Sequence, residues 1–333
     1  MKKLSLFLLL PLVVLTAWAQ GNDHKIVIEA NNGATTVLNV DDVGNLIFDN
    51  GSMSVGGTTI NGIVTAVTQQ QSDIDELSAA INQIIDHLDP PEKTFTVNGV
   101  SFKMLKVSGG TFQMGATPEQ EDNANYLERP VHSVTLSGYF IGETEVTQEL
   151  WQAVMGQKPT AGGSQWSNTY GLGDDFPAYY VSWNDCQAFV AKLNELTGQQ
   201  FRLPTEAEWE FAARGGNKSQ GYKYSGSDTI DEVAWYYYNA DEKAHSVATL
   251  APNELGLYDM CGNVFEWCQD WWGGYEDVAQ TNPVGPSSGS NRVLRGGSWE
   301  RRAVQCRVST RLYCTPSSRD YDCGLRLALS SSF

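Results

Sequence analysis

The residues that could carry out chemistry lie close together near the C-terminus, in GGSWERRAVQCRVSTRLYC at 296–314. Cys306 and Cys314 could supply thiolates, the form of cysteine that acts as a nucleophile and as a metal ligand. Ser298 lies eight positions before Cys306. This pattern predicts either a cysteine-based active site that lacks one of its ligands or a surface that never carried chemistry.

All six cysteines fall in the C-terminal two thirds of the chain: Cys186, Cys261, Cys268, Cys306, Cys314 and Cys323. An even number of cysteines in an exported protein predicts disulfides, whose pairing the sequence does not determine. The alternative for each cysteine is a buried structural thiol.

The chain is strongly acidic, with 39 Asp and Glu against 22 Lys and Arg in 333 residues. This charge argues against nucleic acid and anionic membranes as partners, because both attract basic proteins. It is compatible with binding of divalent cations, although simple solubility explains it as well. The length predicts one large domain and a smaller element.

Residues 1–19 have the features of a secretory signal peptide: two lysines, an apolar run at 4–15, and small residues at Ala17 and Ala19. We therefore expect an exported protein in the periplasm, at the cell surface or outside the cell. No later stretch approaches the roughly 20 apolar residues of a membrane helix, so no transmembrane segment is predicted.

The rest of the chain divides into three parts. Residues 20–58 alternate β-rich runs at 25–30, 35–40 and 45–49 with Asn-Gly and Gly-Gly turns, and predict a small β element. Residues 59–89 carry a heptad pattern that predicts a coiled-coil helix, with self-association through 60–88 and avid presentation of the domain that follows. The alternative is a helix packed on its own domain. A linker at 90–93 precedes one domain at 94–330.

Capping residues predict three helices in that domain. They begin after Thr147, Ser182 and Thr205 and end at Gly156, Gly198 and Gly215, with Asp185 and Glu208 completing two capping boxes. The remainder predicts short strands and loops. Tyr236, Tyr237 and Tyr238 could line a groove, but aromatic core is the favoured interpretation.

Five ordered motifs resemble the formylglycine-generating enzyme, or sulfatase-modifying factor, family. They are GGTFQMG (109–115), ERPVHSVTLSGYFIGETEVTQELW (128–151), FRLPTEAEWEFAARGG (201–216), GLYDMCGNVFEWCQDWW (256–272) and RVLRGGSW (292–299). The resemblance implies an α+β, C-type-lectin-like fold that is rich in loops and has an aromatic core.

The enzymes of this family oxidise a cysteine of a sulfatase to formylglycine with oxygen and Cu(I) held by two thiolates. The register places Ser298 on the family serine and Cys306 on the second cysteine, but Arg301 stands where the first cysteine should be. Arginine does not ligate copper and its charge repels a cation. We therefore regard Ser298 and Cys306 as vestigial and do not expect copper. The alternative is a relocated metal site in which Cys314 or Cys323 approaches Cys306.

A second family feature is retained better. Asp259, the carbonyls of Gly262 and Val264, and Glu266 resemble the family's calcium site, and such oxygens are the ligands that calcium favours. We expect a structural Ca²⁺ there. The alternative is that the two carboxylates brace the local backbone.

The tail resembles the proteins diversified by retroelements that mutagenise template adenines, in which invariant residues frame variable ones. The frame is GGSW, Ala303, CRVS, Arg311, Thr315-Pro316, Arg319 and GLRLAL. The positions between the frame residues are Glu300, Arg301, Arg302, Val304, Gln305, Thr310, Leu312, Tyr313, Cys314, Ser317, Ser318, Asp320, Tyr321, Asp322 and Cys323. Such mutagenesis of asparagine codons reaches all of them except Glu300 and Gln305.

From these positions we predict a ligand-binding face made of Arg301, Arg302, Gln305, Thr310, Leu312, Tyr313, Ser317, Asp320, Tyr321 and Asp322. Tyr and Arg supply contact area and hydrogen bonds at modest entropic cost. The expected ligand is a protein or glycan on a cell surface. The alternatives are a formylglycine-generating oxidase and an envelope scaffold protein.

Overall fold

The computed structural model describes residues 90–159 and 165–330, together with the backbone of 16–19, 25–29 and 35–39. The chain divides into two compact units, residues 1–90 with 332–333 and residues 91–331. The predicted coiled-coil helix at 59–89 lies outside the described residues and stays a prediction.

The first unit contains a three-stranded antiparallel sheet. Its strands are β1 (Thr16–Ala19), β2 (Lys25–Glu29) and β3 (Thr35–Asn39), with β2 in the centre. Strands β2 and β3 coincide with two of the predicted β-rich runs, and the third run at 45–49 lies outside the described residues. Strand β1 falls at the end of the predicted signal peptide, which stays a prediction.

In its described residues the second unit has twelve short strands in three sheets. They are β4 (Glu92–Val97), β5 (Val100–Val107), β6 (Gly110–Met114), β7 (His132–Leu136), β8 (Tyr139–Gly142), β9 (Phe201–Arg202), β10 (Phe265–Trp271), β11 (Gln280–Thr281), β12 (Arg292–Arg295), β13 (Arg311–Cys314), β14 (Cys323–Gly324) and β15 (Ala328–Ser330). The strand orders are β4-β5-β8-β15-β9, β11-β7-β6 and β13-β12-β10-β14. The last sheet carries most of the candidate residues.

The helices are α1 (Gln148–Met155), α2 (Trp183–Thr197), α3 (Glu206–Ala213) and the single turn α4 (Ile230–Val233). The first three begin at the predicted caps, and the N-termini of α2 and α3 have the predicted capping boxes. Gly156 and Gly198 end α1 and α2 with φ of 74° and 68°, a conformation that glycine adopts without strain. Among the described residues no helix is long and apolar enough to cross a membrane.

Strands β10 and β12 run between two hydrophobic clusters. Because successive strand residues point to opposite faces, Trp267 and Leu294 join the cluster under α1 and α2, whereas the adjacent Cys268 and Val293 join the cluster around α3. The sheet is therefore held on both faces. Strands β13 and β14, which contribute to the tail, extend from the two sides of this fixed pair.

Candidate functional site

Burial along the tail follows the predicted alternation between frame and variable positions. The frame segments at 296–299, 306–309 and 324–329 are buried, and so is Arg311. Of the fifteen positions between frame residues, all but Asp322 and Cys323 are exposed or half-buried. Most of the frame thus belongs to the core, except Ala303, Thr315, Pro316 and Arg319, and most of the variable positions belong to the surface.

Four buried arginines of β12 and the tail are fixed by carboxylates from earlier elements. Arg307 pairs with Glu128 at 2.7 Å, Arg311 with Glu206 at 2.6 Å, Arg326 with Glu266 at 2.7 Å, and Arg295 with Glu210. Removing one partner of such a pair leaves an uncompensated buried charge. These pairs attach the tail to the domain, and they were not evident from the sequence because their partners lie 60 to 179 residues away.

The predicted ligand-binding residues do not all lie in one place. Arg301, Leu312, Tyr313, Asp320 and Asp322 line one shallow depression of about 60 Å³, together with Cys314, Ser318 and Cys323. Phe265, Trp267 and Leu294 complete its lining. Eight of its eleven lining residues are therefore variable positions on a floor of core residues.

The five other predicted residues lie outside the lining of that depression, and Tyr321 is one of them. Arg302 and Gln305 are exposed at a 3₁₀ turn at Ala303–Gln305, and Thr310 is half-buried with its hydroxyl donating to the Val304 carbonyl at 3.2 Å. Ser317 is exposed. These residues extend the surface rather than form a pocket.

Asp322 has a different environment from the one we predicted. It is 1% exposed, and its Oδ2 accepts a hydrogen bond from Ser298 Oγ at 2.7 Å. Arg301 Nη2 lies 3.4 Å from the same oxygen. Asp322 therefore positions Arg301 and the frame serine beneath the surface, instead of presenting its carboxylate to a ligand.

Tyr321 belongs to an aromatic cluster that the sequence did not predict. Its ring stacks on Tyr170, with centroids 4.9 Å apart and planes at 11°, and lies 5.5 Å from Trp299 and 6.3 Å from Tyr180. Its hydroxyl donates to Glu300 Oε1 at 2.6 Å. Tyr170 and Tyr180 are half-buried, so they add to the same surface.

The tyrosines at 236–238 were predicted as core, and this is correct only for Tyr236. Tyr237 and Tyr238 are 54% and 68% exposed and contact each other edge to face at 5.1 Å. The backbone N–H of Tyr237 donates to the Arg301 carbonyl at 3.0 Å, which places this pair beside the variable positions.

The vestigial cysteine lies in the core. Cys306 is fully buried, and its Sγ lies 3.9 Å from the carbonyl of Ser298. A Cβ on Gly297 would lie 2.6 Å from that sulfur, which explains why glycine precedes the serine. Burial, together with the thiol of Cys261, raises the pKa of Cys306 far above its ordinary value, so the reactive thiolate is disfavoured.

The relocated thiol pair with Cys314 is not found. Cys306 packs in the same core cluster as Cys261, whereas Cys314 and Cys323 pack in the other cluster. All six cysteines are free thiols in the structure, so none of the predicted disulfides is present in it. Burial raises the pKa of the Cys323 thiol as well.

The two carboxylates predicted to bind calcium already have partners in the protein. Glu266 accepts from Arg326 at 2.7 to 3.0 Å and from Trp209 Nε1 at 2.7 Å, so a guanidinium already neutralises it. Asp259 Oδ2 accepts from the Ala248 N–H at 2.8 Å. Burial and the charge of Glu266 raise the pKa of Asp259 to about 6. Within the described residues, no three acidic, histidine or cysteine side chains converge on a metal position. Calcium binding stays a prediction.

The fold and the tail together define a mixed α+β domain in which the exposed positions of the tail lie on a buried core. Residues 93–331 match the model of the sulfatase-modifying factor enzyme 1-like domain. The chain belongs to this family, and the α+β, C-type-lectin-like fold expected from the resemblance is confirmed.

Three similar proteins indicate the range of the family. The chain is 33% identical to the chaperone protein LppX of Paenibacillus barcinonensis over 60% of this chain and 79% of that one. It is 31% identical to the formylglycine-generating enzyme of Streptomyces coelicolor over 67% and 88%. The solved Treponema denticola variable protein 1 is 36% identical, with a TM-score of 0.64 over 72% of this chain and 99% of that one.

Proposed function

We propose that the domain binds a ligand through the exposed tail surface rather than oxidising a sulfatase. The observation that carries this proposal is the division of the tail into buried frame positions and exposed variable positions. A surface whose side chains can be substituted without disturbing the core is suited to recognition, since the buried framework holds the loops in place. The similarity to a variable protein supports it.

The ligand is proposed to be a protein or glycan on a cell surface, and the protein is proposed to be exported. The surface combines Arg301 and Arg302 with Asp320, Tyr313 and Leu312, so it offers hydrogen-bond donors, hydrogen-bond acceptors and apolar contact. The two exposed tyrosines at 237 and 238 add contact area outside the tail.

The oxidase alternative has support from the relatives but not from the site. Arg301 replaces one thiolate, and the other thiol, Cys306, is buried with a raised pKa. Incubation of the protein with Cu(I), a reductant, oxygen and a sulfatase-type cysteine peptide, followed by mass spectrometry, is expected to leave the peptide unchanged. Formylglycine above the no-protein control, beside an active control enzyme, would refute the proposal.

The display function is tested by tolerance of the fold to variation. A library randomised at the thirteen exposed or half-buried variable positions is displayed on cells and sorted for protease resistance. Most members are expected to fold. A matched library randomised at the buried frame positions 306–309 is expected to lose resistance. Equal losses in the two libraries would contradict a framework that supports a varied surface.

A further inference from the structure

A cavity of about 430 Å³ lies away from the variable positions. It is formed by the N-terminus of α3, the end of β10 and the loop at 273–286. Its polar lining includes His132, Glu206, Asp270, Tyr275 and Arg311. None of the fifteen variable positions lines it, so it is independent of the proposed ligand-binding face.

One oxygen of Asp270 is left without a partner in this cavity. The side chain is 4% exposed, and its Oδ2 accepts from the Glu206 N–H at 2.9 Å. Its Oδ1 accepts no hydrogen bond within the described part of the chain. Gly285 covers this oxygen without a side chain, since a Cβ there would lie 3.1 Å from Oδ1. Because Oδ1 is not among the fully buried atoms that lack a partner, it is open to the cavity, where a ligand donor can reach it.

The buried charged groups of the lining other than Asp270, which are Glu206 and Arg311, are already paired with each other. Glu206 accepts from Arg311 at 2.7 and 2.6 Å and from the Tyr275 hydroxyl at 3.2 Å. The Arg311 guanidinium also lies over the rings of Trp272 and Tyr275, 4.2 and 3.7 Å from their centroids. Arg311 is therefore not available to an anion. The free group is a carboxyl, and Glu276 adds a second acid to the lining.

We propose that this cavity binds an organic cation with N–H donors, an alkylammonium or guanidinium such as a lysine or arginine side chain carries, with Asp270 Oδ1 as its acceptor. Met114 and Pro286 in the lining offer contact to the apolar part of such a ligand, and the rings of His132 and Tyr275, also in the lining, lie 4.7 Å apart. Aromatic faces and a buried carboxylate together favour a cation.

Binding of a cation is linked to the proton on Asp270. Burial and the charge of Glu206 raise the pKa of Asp270 to about 8. The charge of Glu208 on α3 raises the pKa of Asp270 further, while the charge of Arg311 on β13 lowers it. Arg202 on β9 and Arg292 on β12 also interact electrostatically with Asp270. The cation binds the carboxylate form, so binding releases a proton below pH 8. A lysine ammonium itself stays charged up to about pH 10.

Isothermal titration calorimetry of the full chain with N-acetyl-lysine methylamide and N-acetyl-arginine methylamide tests the proposal. Affinity for at least one of them is expected to rise about ninefold from pH 6 to pH 7 and only about 1.3-fold from pH 8.5 to pH 9.5. Two buffers of different ionisation enthalpy are expected to show release of nearly one proton per ligand at pH 6.5. The neutral analogue N-acetyl-norleucine methylamide is not expected to bind.

Asp270→Asn keeps an oxygen for the Glu206 N–H and removes the charge. It is expected to weaken binding at pH 8 at least tenfold and to abolish its pH dependence. Asp277→Asn changes an exposed residue of the same loop by the same chemistry and serves as the control. No heat with either cationic probe, equal binding of the norleucine analogue, or unchanged affinity in Asp270→Asn would each overturn the proposal.

Discussion

At the scale of single residues, the tail is defined by where its arginines lie. Arg301 and Arg302 are at the surface, whereas Arg307, Arg311 and Arg326 are buried against carboxylates. Arginine is seldom buried unless it is paired, and the sequence alone does not show the pairs. The frame pattern places Arg307, Arg311 and Arg326 among the fixed positions and Arg301 and Arg302 among the variable ones, in line with their burial, although the frame residue Arg319 is only half-buried.

Replacement of Arg307 by Met should strongly destabilise the domain. Glu128 would keep the Ser309 hydroxyl but lose both guanidinium hydrogen bonds, at 2.7 and 2.9 Å, in a site where it is 1% exposed. We expect a loss of about 3–5 kcal/mol in the free energy of unfolding, measured with urea at pH 7. Arg302→Met on the surface should change it by less than about 0.5 kcal/mol. Similar effects of both substitutions would contradict the role of the buried pair.

The predicted calcium site is tested by the thermal midpoint, which should rise with the calcium concentration when calcium replaces EDTA in the buffer. The ion must compete with Arg326, which already neutralises Glu266. The measurement is differential scanning calorimetry at pH 7.5. An unchanged midpoint would contradict the prediction and favour the alternative that the two carboxylates brace the local backbone.

At the scale of elements, the N-terminus of α2 anchors the tail. Asp185 accepts from the N–H and hydroxyl of Ser182 at 2.9 and 2.7 Å, and its two oxygens accept from Arg319 at 2.6 and 2.8 Å. Burial alone would raise the pKa of Asp185, but the hydrogen bonds from Arg319 and Ser182 outweigh it and lower the pKa. One carboxylate therefore completes a helix cap and holds a frame residue.

Asp185→Ala should destabilise the domain more than Ser182→Ala does. The serine substitution removes one cap, at about 1 kcal/mol, whereas the aspartate substitution also releases Arg319. Because the folded pKa of Asp185 is lowered, its contribution is complete above the unfolded pKa of about 3.9 and is lost as the pH falls through the folded value. Urea unfolding at pH 7 and pH 3 should show the difference between wild type and Asp185→Ala shrinking at the lower pH. A constant difference would contradict this linkage.

The sequence predicted elements with a local signal and missed those without one. The N-cap residues located the starts of α1, α2 and α3, and for α2 and α3 a capping-box partner three positions later supported the prediction. Strands β9, β11 and β14 have two residues each and no periodicity to read. The aromatic cluster of Tyr170 with Tyr321 joins residues 151 positions apart, and the neighbourhood of Cys261 and Cys306 depends on packing around α3. Only the folded chain shows such contacts.

At the scale of the whole molecule, the two compact units predict separable behaviour. Residues 91–331 contain both hydrophobic clusters and all the buried ion pairs of the tail, so this part should fold without residues 1–90. Its unfolding midpoint should stay within a few degrees of that of the longer chain. A protein of residues 91–333 that is unfolded by near-ultraviolet circular dichroism would contradict this independence.

Self-association is predicted to reside in residues 60–88. Size-exclusion chromatography with light scattering should give an oligomer for residues 20–333 and a monomer for residues 91–333. If a single binding face has modest affinity, the oligomer would bind a multivalent surface more tightly than the monomer does. Equal masses per chain for the two proteins would refute the coiled-coil prediction.

The alternation of buried and exposed residues in the tail also has a consequence for its codons. Retroelement diversification falls on template adenines, so a buried residue is protected only if its codon contains none. Every buried frame residue, Gly296–Trp299, Cys306–Ser309, Arg311 and Gly324–Leu329, can be encoded without adenine. Thr315 has no such codon, and it is exposed. In a diversified gene, Arg307, Arg311 and Arg326 should therefore use CGT, CGC or CGG rather than CGA, AGA or AGG, so that mutagenesis of adenines leaves these buried residues unchanged.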